Sequence, residues 1–321
     1  MKALLLNEAI GPQGFEIGEV AEPVPSPDEV LIDVEAAGIA FPDLLISKGA
    51  YQHSPPLPFI AGQEVAGVVR SAPADARVKA GDRVWAASSV GGFAEAVAVD
   101  GKRAFPLAEA LDFVEGAALA SNFSTAIFAF RRRGKLEPGE TVLVLGAGGG
   151  LGSACVSVAK AIGARVIGNA STEVKGEVAR RAGADEVVLG NEWRDAVLEL
   201  TDGKGVDVVA DIVGGEETLQ AVRSTAPEGR VIILGFTAGA IHEVKVNRLL
   251  LRNVSVVGAG LGAFSESKDP EVMAECGAEL NRLVDAGMRP IVGSVYPIEE
   301  GAAALAQLDG RGALGKIVLT L

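Results

Sequence analysis

The sequence predicts an α/β chain in which a β-rich module precedes a doubly wound parallel sheet, and three observations carry that prediction. The first is the stretch from Val142 to Ala164. Val142 to Leu145 reads as a buried strand, Gly146 to Gly152 as a glycine turn, and Val156, Val158, Ala159 and Ile162 as the inward face of a helix that Gly163 stops. The second is the alternation of apolar runs and helical patterns that surrounds it. Strands are expected at 142–145, 165–168, 186–189, 206–211, 230–234 and 253–258, with helices between most of them. Parallel strands joined by helical crossovers make a doubly wound sheet. The third is the different texture of residues 1 to about 120. Short apolar runs (Leu4–Leu6, Phe15–Val20, Val30–Ala37, Val65–Val69, Arg83–Ala86 and Ala94–Val99) are broken there by Gly11-Pro12, Pro23 to Pro27, Gly81-Asp82 and Gly91-Gly92.

From about Glu109 the spacing changes to helix, with Phe113-Val114, Ala117-Ala118 and Phe123 on one face. A long helix is expected from Pro270 to Ala286, its buried face made of Val272, Met273, Cys276, Leu280, Leu283 and Val284. The final strand is expected at Lys316 to Leu321. A length of 321 residues suits two domains, each large enough for its own core.

Composition narrows the function classes. With 49% hydrophobic and 22% charged residues the chain reads as globular. A formal net charge of −13 repels phosphate backbones and anionic lipid, so nucleic acid and membrane surfaces are poor general partners. The two cysteines, Cys155 and Cys276, exclude a disulfide framework and a cysteine-rich zinc lobe, and both read as small core residues. The apolar run at Met1 to Leu6 ends at Asn7-Glu8, too short for a signal peptide, and the expectation is a cytoplasmic enzyme.

The glycine stretch carries chemistry. Its best register is Ala147-x-Gly149-x-x-Gly152, with Gly150 and Leu151 between. Glycines at this spacing let the backbone turn tightly and approach a pyrophosphate, and the first N–H groups of the helix then bind it. An ordinary strand–helix turn is the alternative. The required strand–turn–helix context favours a dinucleotide site.

Further motifs fall into a known pattern. Gly62-Gln63-Glu64-Val65-Ala66-Gly67-Val68-Val69, Gly81-Asp82-Arg83-Val84, Asn122 to Ala126, and Pro138-Gly139-Glu140-Thr141-Val142 precede the glycine turn in order. In combination these resemble the medium-chain dehydrogenase/reductase superfamily over nearly the whole chain. The resemblance implies a GroES-like catalytic domain from residues 1–121 with 261–321, wrapped around a Rossmann dinucleotide domain at 122–260. Within that superfamily the chain looks like the zinc-free quinone oxidoreductase (zeta-crystallin-like) branch. Zinc-bearing members place a cysteine and a histidine where Ala40 and Gln63 stand, and neither supplies a thiolate or an imidazole. The expectation is no metal. His53 and His242 read as exposed loop residues, and Glu64 as a source of structural hydrogen bonds.

The cofactor expectation is NADPH. The second strand ends in Asn169 to Thr172, without the acidic residue that holds an NAD ribose. Ser171 and Lys175 are placed for a 2′-phosphate, and the resemblance implies a lysine near this point in NADPH-using members. Glu173 dissents if it turns inward. By the same resemblance, Val213 lies in the loop under the adenosine, Gly235, Phe236 and Thr237 beside the nicotinamide ribose, and Thr125 against the nicotinamide. Arg311 and Lys316 would close on the phosphates. Phe236 equally suits a core position, and the two cations a solvated face. Arg131-Arg132-Arg133 reads as a solvated helix face.

With no metal and no Ser/His or carboxylate pair, the cofactor carries the hydride and the protein positions the acceptor. A quinone or similar electrophilic carbonyl suits that division of labour. The segment Phe41 to Tyr51 would line the acceptor side, and Tyr51 is the one candidate catalytic residue there, an aromatic anchor being its other reading. A zinc-free enoyl-thioester reductase and an NADPH-binding protein without turnover are the competing functions. A homodimer is expected through Val254 to Val257, paired as an edge strand with its symmetry mate.

Overall fold

The computed structural model describes residues 1–51, 55–241, 243–269 and 271–321, so the expectations for His53 and His242 lie outside the described residues. The early strands are β1 (Lys2–Leu6), β2 (Phe15–Glu19), β3 (Glu29–Ile39), β4 (Phe59–Ile60), β5 (Glu64–Ser71), β6 (Arg83–Ala87), β7 (Ala96–Asp100) and β8 (Ala104–Pro106). Then come β9 (Thr141–Leu145), β10 (Arg165–Ala170), β11 (Glu186–Leu189), β12 (Val206–Asp211), β13 (Thr225–Ile233) and β14 (Ser255–Gly258), with β15 (Val292–Pro297) and β16 (Lys316–Thr320) last. The helices used below are α1 (Phe41–Ser47), α2 (Ala120–Ile127), α3 (Gly150–Ile162), α4 (Glu173–Arg181), α5 (Leu261–Ser267), α6 (Val272–Asp285) and α7 (Gly301–Asp309).

The chain divides into two compact units. The first holds Met1–Asn122, Met273–Asp285 and Val292–Leu321. Its main sheet runs β15-β16-β3-β5-β6-β8, with β7 also on β3, and a smaller sheet runs β2-β1-β4. Apolar residues recur at every second position of these strands. They bury Leu4, Leu6, Ile32, Val34, Val65, Val84, Val97, Ile317 and Leu319 in one core together with Phe93 and Leu305. Trp85 stacks on Phe105 at 4.4 Å and donates its indole N–H to Asn281 on α6 at 3.0 Å, which pins that helix to the unit.

The second unit holds Phe123–Val272 and Ala286–Ile291. Its six strands are all parallel in the order β11-β10-β9-β12-β13-β14. Strand order reverses between β9 and β12, and in such sheets ligands bind outside the carboxyl ends of the strands at that reversal. Leu143, Leu145, Ile167, Val209 and Val231 build its core with Trp193 and Val197.

Two features differ from the sequence expectations. Strand β13 begins at Thr225 rather than 230, because its ladder with β12 shifts register between Val206 and Val208 and the extra residues pass through Glu228 in the left-handed region. Helix α5, expected with the N-terminal module, belongs to the second unit. There Phe264 packs on Phe128 at 5.2 Å and Arg132 lies over the Phe264 ring at 4.9 Å. Arg131, Arg132 and Arg133 are exposed, as expected of a solvated face, and two of them also make contacts that the sequence did not suggest. Arg132 pairs with Asp269 at 2.8 Å, and Arg133 donates to the Gly258 carbonyl at 2.8 Å. Among the described residues no helix is long and apolar enough to cross a membrane.

Candidate functional site

The glycine turn closes at the carboxyl end of β9. Gly146 has φ +73°, in the region that favours glycine, and the Ala147 N–H donates to the Asn169 carbonyl at 2.9 Å. Gly152 packs so closely that a Cβ there would stand 2.0 Å from the Gly146 carbonyl oxygen. The cap residue Gly149 is extended (φ −89°, ψ 179°) and no side chain caps α3. The N–H groups at Gly150, Leu151 and Gly152 therefore head an uncapped helix, the arrangement that accepts an anion.

The turn touches the start of α4. A Cβ on Gly148 would lie 2.6 Å from Lys175 Cβ, so the Lys175 side chain departs from the edge of the glycine turn. Thr172 caps α4 by accepting from the Lys175 N–H at 3.4 Å, and Ser171 before it is exposed. Glu173 accepts from Arg180 at 2.6 Å, which draws its carboxylate along the exposed side of the helix. Asn169 donates its side-chain amide to the Gly190 carbonyl at 3.0 Å, and is occupied in holding β10 beside the next loop.

On the other side of the turn Asp211 ends β12 as a buried carboxylate. It accepts from the Val213 and Gly214 N–H groups at 3.1 and 2.8 Å and from the Thr218 hydroxyl at 2.6 Å, and so shapes the loop that presents Val213. The Thr237 N–H donates to the Ile212 carbonyl at 3.2 Å, which brings Gly235, Phe236 and Thr237 beside that loop. Phe236 is 41% exposed and not a core residue. Thr125 is half-buried on α2. Burial pushes the Cys155 thiol up, in keeping with a core residue.

The remaining candidates lie in the first unit. Tyr51 is half-buried and packs on that unit's core. Arg311 is exposed, with φ +57°, in the turn after α7. Lys316, expected to close on cofactor phosphates, is instead 3% exposed with its ammonium paired to Glu64, which is fully buried. The reason is that a buried ammonium requires a carboxylate, and β5 and β16 supply the pair. The other Glu64 oxygen accepts from the Ser121 N–H at 2.9 Å. Beside them stands a residue that sequence reasoning passed over, Asp43. Its carboxyl is fully buried and accepts from the Ala40 N–H at 2.8 Å. Burial raises it to about 7, aided by the Glu64 charge and held back by the Ala40 N–H and the Lys316 charge. The signal in sequence was the third position of a helix beginning Phe41-Pro42, where a carboxylate reaches back to the cap N–H.

Known proteins share this architecture. The family described as alcohol dehydrogenase GroES-like domain matches residues 26–109, and that described as zinc-binding dehydrogenase matches residues 150–277. The quinone oxidoreductase-like protein 2 of Bos taurus is 37% identical over 309 residues, 95% of this chain and 88% of the relative. The crystal structure of a probable oxidoreductase from Mycobacterium abscessus is 43% identical, with a TM-score of 0.91 over 100% of this chain and 99% of that one. The quinone oxidoreductase of Thermus thermophilus, solved also as a complex with NADPH, is 35% identical with a TM-score of 0.87, covering 100% of both chains.

Proposed function

The chain belongs to the medium-chain dehydrogenase/reductase superfamily, in its zeta-crystallin-like quinone oxidoreductase branch, and from that premise we propose that it reduces a quinone or similar electrophilic carbonyl with NADPH and without metal. One observation carries the cofactor half of the proposal: the uncapped start of α3 above a glycine turn against which Lys175 is packed. In this reading the N–H groups of Gly150, Leu151 and Gly152 hold the pyrophosphate, Ala147 and Gly149 form the turn it lies against, and Ser171 and Lys175 hold the 2′-phosphate. Val213 flanks the adenosine, Gly235 to Thr237 the nicotinamide ribose, and Thr125 the nicotinamide, while Arg311 is the remaining phosphate candidate. Bound NADPH supplies the hydride, and the chain's own task is to orient it and exclude water. A chain of 321 residues with only two cysteines suits a cytoplasmic enzyme, which is part of the same reading.

The donor set does not fit a zinc ion. Ala40 offers a buried methyl group, Gln63 an amide, and Glu64 is held by the Lys316 ammonium. Purified protein is expected to carry no stoichiometric zinc and to keep its activity in chelator. About one zinc per chain by elemental analysis would overturn this.

Strand β14 is the outer strand of its sheet, and Val256 on it is 41% exposed. Pairing with its two-fold mate would satisfy that edge, so the protein is expected to be a homodimer. A monomeric mass by light scattering at micromolar concentration would count against it.

The acceptor is tested by following NADPH oxidation with quinones and with α,β-unsaturated thioesters. A quinone develops its charge on oxygens that water protonates, whereas an enoyl thioester needs a proton delivered to carbon. General acid catalysis is worth about 10²–10⁴-fold. Tyr51→Phe is therefore expected to keep most quinone turnover, with the loss confined to acceptor binding. A hundredfold fall on an enoyl thioester, with negligible wild-type activity on quinones, would make the chain an enoyl-thioester reductase.

A further inference from the structure

Asp43, Glu64 and Lys316 come from α1, β5 and β16 and meet inside the first unit, exposed by 0%, 0% and 3%. The hydrogen bonds around them are nearly complete. Lys316 serves one Glu64 oxygen, Ser121 the other, and Ala40 one Asp43 oxygen. Asp43 Oδ1 is buried without a well-formed hydrogen bond, the Gly62 N–H being the other donor beside the carboxyl. Two carboxylates thus face a single ammonium, and when both are ionised the cluster holds an uncompensated negative charge away from water. A proton on Asp43 removes that charge.

Position gives the proton a consequence. Asp43 bonds the N–H of Ala40, the residue that starts α1, and α1 runs through Lys48 to the turn bearing Tyr51. We propose that the Asp43–Glu64–Lys316 cluster is a proton-operated latch on residues 40–51: with Asp43 protonated the segment is held on the core, and release of that proton to water loosens it. The latch works the same way whichever acceptor the enzyme reduces.

Few other charges bear on Asp43. It is the sole charged residue of α1, Glu64 faces it from β5 and Lys316 from β16. Of the elements packed on α1, α7 offers Asp309, which holds Lys48, and the turn Pro12–Gly14 carries no charge. Burial places the Asp43 transition at about 7, against 3.8 for an exposed aspartate. The closed segment therefore binds a proton that the opened one lacks between these values. Closure weakens as pH rises through that window, and the effect is complete above about 7.

The test is hydrogen exchange of peptides covering residues 40–51 at pH 6 and pH 8, corrected for intrinsic rates, on the full chain. Linkage with those two proton affinities makes opening about tenfold more favourable at the higher pH. Peptides from β9 to β12 in the second unit should show no such change. Asp43→Asn keeps an acceptor for the Ala40 N–H and cannot ionise, so its protection should be flat across the same range. An unchanged pH response in Asp43→Asn, or none in the wild type, overturns the latch. Should the variant fail to fold, infrared titration of the wild type decides. A protonated carboxyl band that disappears near neutral pH supports the proposal, and its absence at pH 6 overturns it.

Discussion

Lys316→Met is expected to remove about 3–5 kcal/mol of folding stability, the cost of leaving a buried carboxylate without its partner. Methionine fills the space of the lysine stem but offers Glu64 no charge, and Glu64 is fully buried with only the Ser121 N–H remaining to it. A loss of that size is a large part of the roughly 5–15 kcal/mol that holds a typical domain folded. Urea unfolding, followed by the fluorescence of Trp85 in the first unit, measures it. Adding Glu64→Gln should restore much of the loss, because replacing both partners of a buried pair is far less costly than removing one. The competing role has a different signature. Were Lys316 a phosphate ligand, the single variant would bind NADPH at least tenfold more weakly and unfold at nearly the wild-type urea concentration.

Lys316 and the glycine turn differ in the sequence distance that their contacts span. The turn is legible because every contact that makes it is local: an apolar strand, closely spaced glycines and the first turn of a helix within Val142–Ala164. The parallel sheet is legible for the same reason, since each strand buried on both faces reads as a continuous apolar run. Lys316 meets a partner 252 residues away, and nothing in the pattern around either residue announces the other. A lysine opening a terminal strand looks solvated until the neighbouring strands are known. Arg132 and Arg133 read as a charge run for the same reason, although Asp269 and the Gly258 carbonyl claim them. Asp43 combines both situations. Its bond to Ala40 is local and legible, whereas its raised proton affinity arises from burial, aided by the Glu64 charge on β5, and is a property of the packed unit alone.

Lys175→Ala is expected to weaken NADPH binding at least tenfold while leaving NADH nearly unchanged. Gly148 has no side chain, and this lets the Lys175 backbone lie directly against the glycine turn. Thr172 fixes the start of α4 by accepting the Lys175 N–H, so the lysine stem leaves from a defined point beside the end of β10. That is where a 2′-phosphate is held in sheets of this strand order. A charge-assisted hydrogen bond contributes about 1.5–3 kcal/mol, which converts to tenfold or more in affinity. The opposing residue is Glu173, whose carboxylate would repel the phosphate if it faced the same way. It is 64% exposed and engaged by Arg180 at 2.6 Å, so its charge is both screened and drawn off along the helix. Fluorescence titration of both cofactors, in wild type and variant, measures the difference. Equal wild-type affinities for NADPH and NADH would show that Glu173, not Lys175, governs the site.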